Sequence, residues 1–303
     1  MLELTRVAVE TWIKTIATGE FHYTKVLDGN VKKESYAKLR KVMFDIVHAK
    51  EPCCEPVGKR DGVYRPIQND AVPLNWQDLE GRKDSGLVLP FNLRKYVFVY
   101  PDTLGVVAGS KSSGKTGFLY RTIVMNMAIM KVYLLTNLEG GIMALRDRFF
   151  AMSGVEIPIP APFETKFVTG NFHDYIKESN SLYVIDYIDA PEGTEFYLIG
   201  GLVQKISNKL QGKNSVAVVG LQKPSGRDTA YGGETTLKAA TFYLALDRNK
   251  LKIVDAKVFA NEKVNPRNMQ WTFRYDEAGT NFIDIKPSID NPVEPEEQEG
   301  MSF

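Results

Sequence analysis

The sequence predicts an α/β protein: a large domain with a mostly parallel sheet and an antiparallel extension, preceded by a small α+β domain. Three observations predict it. From about Leu89 onward, short apolar runs alternate with helical stretches, the pattern of a sheet covered on both faces. After Thr236 several short strand-like runs follow one another with no helix between them, as antiparallel neighbours do. Before residue 69 the order is helix, strand, helix and hairpin.

The elements justify themselves in chain order. Residues 5–17 carry Val7, Val9, Trp12, Ile13 and Ile16 at helical spacing, and Thr18-Gly19-Glu20 closes the run. FHYTKVL follows, with Asp28-Gly29-Asn30 as a turn. Residues 32–50 form an amphipathic helix with Tyr36, Leu39, Val42, Met43, Ile46 and Val47 on one face. EPVGKRDGVYRPI then places Asp61-Gly62 between two extended runs, which predicts a tight hairpin. This order resembles a winged-helix domain over residues 1–68. That segment holds 12 Lys/Arg against 9 Asp/Glu, clustered at Lys32, Lys33, Lys38, Arg40 and Lys41 and again at Lys59, Arg60 and Arg65. Such cations suit either a solvated face or a nucleic-acid groove.

Residues 69–88 mix Pro, Gly and charge without periodicity and read as a linker. In the large domain, residues 89–286, the expected strands include residues 104–108, KVYLLT, SLYVIDYI and SVAVVGL, with helices over GFLYRTIVMNMAIM and residues 196–210. ATFYLALD, KLKIVDAKV, MQWTFRY and NFIDIK form the expected antiparallel extension. Residues 287–303 are acidic, with Asp290, Glu294, Glu296, Glu297 and Glu299. They read as a disordered tail: passive, docking a protein partner, or acting as an electrostatic gate that competes with DNA.

Composition narrows the class. With 303 residues, 44% hydrophobic and 25% charged, the chain can bury a core without disulfides or structural metals. Cys53 and Cys54 are adjacent, no CxxC pair exists, and His22, His48 and His173 are scattered. A zinc site and a thioredoxin-like motif are therefore unsupported, and two reduced thiols are expected. MLELTRVAVE lacks the apolar core of a signal peptide. The most apolar stretch, residues 122–135, is cut by Asn126 and Lys131 and falls short of the ~20 residues a membrane span requires. A cytoplasmic protein without a membrane partner is expected.

The chemistry concentrates in VVAGSKSSGKTGFLYRT. Gly109, Ser110, Lys111, Ser112, Ser113, Gly114, Lys115 and Thr116 fit G-x-x-x-x-G-K-[ST]. Glycines let the loop turn its backbone N–H groups inward on phosphate oxygens, the lysine neutralises charge during phosphoryl transfer, and the Thr116 hydroxyl is a Mg²⁺ ligand. An apolar strand before the loop and an apolar helix after it are the context the motif requires. ATP and Mg²⁺ are the cofactors this implies. In LYVIDYID, four apolar residues end in Asp186, a buried carboxylate suited to the metal. The position after it is Tyr187, so a water-orienting base must come from elsewhere. Glu139, in YLLTNLEGG, would face the γ-phosphate if its strand lay beside the P-loop strand.

Taken together, the P-loop, TNLEGG with ALRDR, and VIDYID resemble the RecA-like P-loop ATPase core, closest to the DnaB-type replicative helicases, over roughly residues 89–260. The resemblance implies Glu139 as catalytic glutamate, Asp186 as the magnesium acid, and an ATP site between subunits completed by a neighbour's cation. The chain departs from that family at Gly220-Leu221-Gln222-Lys223, where Gln222 is the candidate polar sensor one position out of register. The collar domain of those helicases is replaced by the winged-helix-like unit. Residues 224–236 have the Gly-rich character of a DNA-binding loop. Arg227, Lys238, Arg248 and Lys257 are candidate trans or DNA-facing cations, with Lys257 favoured for the trans role.

The leading reading is an ATPase, extending to DNA helicase activity, that processes single- or double-stranded DNA in replication or recombination as a homo-oligomeric ring or filament. The alternative is an ATP-gated DNA- or protein-binding assembly switch with slow hydrolysis. A metabolic P-loop kinase is a third reading, disfavoured because no arginine-rich lid follows the site.

Overall fold

The computed structural model describes residues 4–58, 60–67, 76–152, 154–189, 196, 198–276 and 280–288. The chain divides into two compact units, Met1–Glu80 and Gly81–Phe303. Residues 289–303 of the acidic tail and Lys59 lie outside the described residues, as do 69–75 of the expected linker.

The first unit contains α1 (Arg6–Thr15), β1 (Phe21–His22), α2 (Tyr36–Val47), β2 (Cys54–Pro56) and β3 (Val63–Pro66). Thr5 caps α1 by accepting a bond from the Ala8 amide. Val9, Trp12 and Ile13 from α1 meet Leu39, Met43 and Ile46 from α2 in one core. Val7 and Ile16, expected on the buried face of α1, are exposed; three inward positions suffice for a ten-residue helix packed on one side. The strands form an antiparallel sheet in the order β1-β3-β2. The hairpin is not the tight two-residue turn expected from Asp61-Gly62. Pairing ends at Pro56↔Tyr64, and Gly62 instead bends at φ +73° where a Cβ would meet the His22 and Tyr23 side chains at 2.8 Å. Cys53 and Cys54 are buried free thiols, and burial pushes Cys54 up to about 12. They stay protonated and unreactive at neutral pH.

The second unit is built on a nine-stranded sheet. In chain order it comprises β4 (Thr103–Gly109), α3 (Lys115–Asn126), β5 (Lys131–Thr136), α4 (Gly141–Phe150), β6 (Phe163–Phe167), β7 (Ser181–Ile188), α5 (Leu198–Leu210), β8 (Val216–Gln222), β9 (Ala240–Asp247), β10 (Lys250–Ala256), β11 (Gln270–Tyr275) and β12 (Phe282–Pro287). The strand order is β12-β11-β10-β9-β4-β8-β7-β5-β6. Strands β4 to β9 pair in parallel, and β10, β11 and β12 extend the sheet antiparallel. The expected extension thus begins one strand later than the sequence suggested, because β9 lies parallel to β4.

Period-two alternation splits each central strand between two cores. Leu182 and Val184 of β7 join Phe118, Leu119 and Ile123 of α3 on one face. Tyr183 and Ile185 join Val203, Ile206 and Leu210 of α5 on the other. Asn126, which interrupts an apolar run, is fully buried, and its amide clamps the Val88 backbone through bonds of 2.7 and 2.9 Å. Leu87 is buried alongside in the core, so the end of the expected linker belongs to this unit. Gly105 gives the Phe242 ring space, since a Cβ there would lie 1.9 Å from Cζ. Gly105→Ala is therefore expected to overpack the core by about 1–3 kcal/mol. A thermal melt checks this, and each kcal/mol should lower the midpoint by about 2–4 °C.

Strand β6 escaped the sequence reading. It is one of the two edge strands of the sheet, and its side chains are mostly exposed, so FETKF carries no apolar run to betray it. Among the described residues no helix is long and apolar enough to cross a membrane.

Candidate functional site

The site opens where the parallel strands end. β4 stops at Gly109, residues 110–114 form a loop, and α3 starts at Lys115. Both motif glycines have a steric reason. A Cβ on Gly109 would lie 2.6 Å from Ser113 Oγ, and one on Gly114, which sits at φ +93°, would lie 1.2 Å from the Tyr275 hydroxyl. No side chain caps α3, so its first amides, with the positive end of the helix dipole, are free to face an anion. Ser113 Oγ is buried without a hydrogen-bond partner, a polar group waiting for one.

Beneath the loop lies a small buried ionic cluster. The Lys115 ammonium is 3.1 Å from Asp186 Oδ1, and the Thr116 hydroxyl donates to the same oxygen at 3.3 Å. Asp186 stands near the end of β7 and is 4% exposed. The Tyr187 ring covers the lysine, its centroid 4.1 Å from Nζ. Tyr120, on α3, stacks on Phe149; burial first, then the Asp186 charge, push its phenol above the usual range. Burial likewise raises Tyr187, with the Glu139 charge next in effect. Both phenols remain neutral donors.

A cleft of ≈ 770 Å³ joins these groups to others distant in sequence. Residues 109–117 line it with Glu139, Arg148, Tyr187, Gln222 and Tyr275. Glu139 is exposed in the loop between β5 and α4. Its route into the cleft differs from the one expected. β5 is not beside β4, because β8 and β7 stand between them, and Asp186 is likewise one strand removed. Glu139 reaches the cleft across the ends of those strands. Gln222 is the direct register partner of Gly109.

Lys257 is elsewhere. It follows β10, which runs antiparallel from Lys250, opposite Asp247, to Ala256, opposite Phe242. That is the end of the sheet away from Gly109, where its ammonium bonds the Lys238 carbonyl at 2.5 Å. Lys257 thus contributes nothing to this chain's own cleft. Lys111 lines the cleft and also an adjoining one with Arg248 and Arg274.

Sequence reasoning missed Arg148, Tyr120 and Tyr275. Tyr275 donates to the Ser113 carbonyl at 3.0 Å from a strand 162 residues away. Only the sheet topology brings β11 to the loop, so no local pattern could have found it. Arg148 stands within the quoted ALRDR stretch, but its direction depends on how α4 is laid down.

No protein-family model matches the chain, and no curated protein matches it. Among solved structures it is similar to the RadB recombinase, with a TM-score of 0.46 and 16% identity, covering 62% of this chain and 92% of that one. It is also similar to a DnaB-like replicative helicase, described with its interactions with primase, with a TM-score of 0.49 and 13% identity over 68% and 65% of the two chains. The chain thus spans about two thirds of that helicase. The motif set, and a largely parallel sheet with helices on both faces, agree with the RecA-like P-loop core expected from the sequence.

Proposed function

We propose that this chain is an ATP-hydrolysing, DNA-processing protein of RecA-like type that works as a homo-oligomer. One observation carries the reading: Lys115, Thr116 and Asp186 converge beneath the loop, and Glu139 and Gln222 open on the same cleft.

The donor set fits magnesium. A hydroxyl and a carboxylate are hard oxygen ligands, and no group of three or more His, Cys, Asp or Glu side chains gathers as a metal cage among the described residues. Mg²⁺ takes one or two protein oxygens and completes its shell with phosphate and water, so Thr116 and Asp186 are the residues that would hold it. When bound, the ion neutralises charge on the phosphate oxygens. The loop amides and the α3 N-terminus bind the phosphates, and Lys115 supplies a positive charge for the transferred group. Glu139, exposed on the cleft wall, orients water and takes its proton. Gln222 senses the terminal phosphate from the strand paired with Gly109, and Lys257 serves a neighbouring subunit's site.

DNA contact is supported by exposed cations on the first unit, including Lys33, Lys38 and Lys41 around α2, and by the 224–236 loop. ATPase rates measured with and without single- and double-stranded DNA test the reading. Stimulation of about 10-fold or more supports a DNA-coupled motor. Slow, DNA-insensitive turnover with ATP-dependent complex formation supports the assembly switch. Phosphate transfer to a small molecule sinks both.

A further inference from the structure

Lys223 is the last place where chemical habit would put a lysine. Its side chain is fully buried, and an ammonium removed from water is costly unless paired and hydrogen-bonded. Here it is both. Nζ donates to Asp247 Oδ1 at 2.7 Å and to the Arg227 carbonyl at 2.7 Å. The same Asp247 oxygen accepts a 3.2 Å bond from the Ser110 hydroxyl, in the phosphate loop. One carboxylate oxygen therefore holds the first residue of that loop on one side and, through Lys223, the carbonyl of the 224–232 loop on the other.

Backbone bonds bring the three segments together. The Lys223 amide donates to the Gly109 carbonyl at 3.1 Å, and the Ser110 amide to the Leu246 carbonyl at 3.2 Å. The downstream loop is fixed at its other end as well, by the Tyr231 amide on the Gln222 carbonyl and by Asp228 on Lys252. Between these points Arg227 is exposed. Any displacement of Ser110 changes what Asp247 must satisfy, and Lys223 is its only buried cationic partner in this network. An apolar residue would fill the same site without the cost of burying charge. What it could not do is transmit a change of hydrogen bonding.

We infer that Lys223 and Asp247 form a positioning relay by which occupancy of the phosphate loop sets the conformation of the 224–232 loop. The inference rests on the proposed nucleotide reading of the cleft. Neither residue touches the reacting atoms; both act through Ser110 on one side and Arg227 on the other.

Limited trypsin digestion reads the relay directly. Arg227 is the one tryptic site inside 224–232, and the Lys223-Pro224 bond resists trypsin. Fragments ending at Arg227 are followed by mass spectrometry with and without a non-hydrolysable ATP analogue and Mg²⁺, and a fluorescent nucleotide reports binding separately. The wild-type chain should change its cleavage rate at Arg227 by about 5-fold or more on binding nucleotide. Lys223→Met should still bind nucleotide but cleave at Arg227 at one rate whether or not nucleotide is present. Ser110→Ala, which cuts the other end, should lose the same response, and it decides the matter if Lys223→Met does not fold. Nucleotide binding without any change at Arg227 in the wild type overturns the relay alone. So does a response preserved in the folded variants. Failure of the wild type to bind nucleotide overturns the relay together with the reading beneath it.

Discussion

Lys115→Ala is expected to abolish nucleotide binding and, in the empty protein, to lower stability. The two effects have separate causes. Binding fails because the variant lacks the buried ammonium that pairs with Asp186 under the loop, and the phosphates meet Asp186 uncompensated. Stability falls because Asp186, 4% exposed in the intact chain, loses the ammonium that compensates its charge. Breaking a buried pair by removing one partner costs about 3–5 kcal/mol. Fluorescent-nucleotide titration and a thermal melt measure the two independently. Lys115→Ala/Asp186→Asn provides the control: removing the orphaned charge should restore much of the melting temperature and none of the binding. Normal affinity in Lys115→Ala would remove this loop from the phosphate-binding role.

Glu139→Gln should show the opposite split. The side chain keeps its length and lies exposed at the mouth of the cleft, so neither fold nor nucleotide affinity should change. The amide cannot accept the proton of an attacking water, and turnover should fall by about 10²–10⁴-fold. Single-turnover hydrolysis beside an equilibrium binding curve makes the distinction. Normal turnover in this variant would assign the base to another group. Phenols are poor substitutes, since burial keeps both Tyr120 and Tyr187 protonated at neutral pH.

Why Lys115 and Asp186 were legible in the sequence while their arrangement was not has a physical explanation. A strand buried on both faces must be apolar throughout, so KVYLLT, SLYVIDYI and ATFYLALD marked β5, β7 and β9 at their observed limits. The phosphate loop is legible for a related reason: close backbone packing forces glycine at fixed positions, and the chemistry forces lysine and threonine beside them. Strand order leaves no such local trace. Nothing in the β5 sequence says that β8 and β7 will stand between it and β4, and the path by which Glu139 reaches the cleft follows from that order alone. Polar side chains whose partners lie far along the chain are equally silent. Asn126 reads as an interruption until Val88 is found beneath its amide, and Lys223 as one more cation until Asp247 is found against it.

The outer strand β6 has a consequence for how this protein behaves in concentrated solution. A sheet that ends in an exposed strand offers unpaired amides and carbonyls to any other extended chain. β6 ends in the exposed Phe167, but on the opposite face of the same strand Glu164 and Lys166 pair opposite charges 3.3 Å apart, and Lys131 on the adjacent strand approaches Glu164 at 4.0 Å. These surface pairs add little to stability. Their value is as gatekeepers against edge-to-edge stacking. In about 1 M salt, where electrostatic reach shrinks to about 3 Å, that guard weakens while Phe167 keeps its appetite for a neighbour. Colloidal stability at this end of the sheet is thus tied to ionic strength through a few exposed charges.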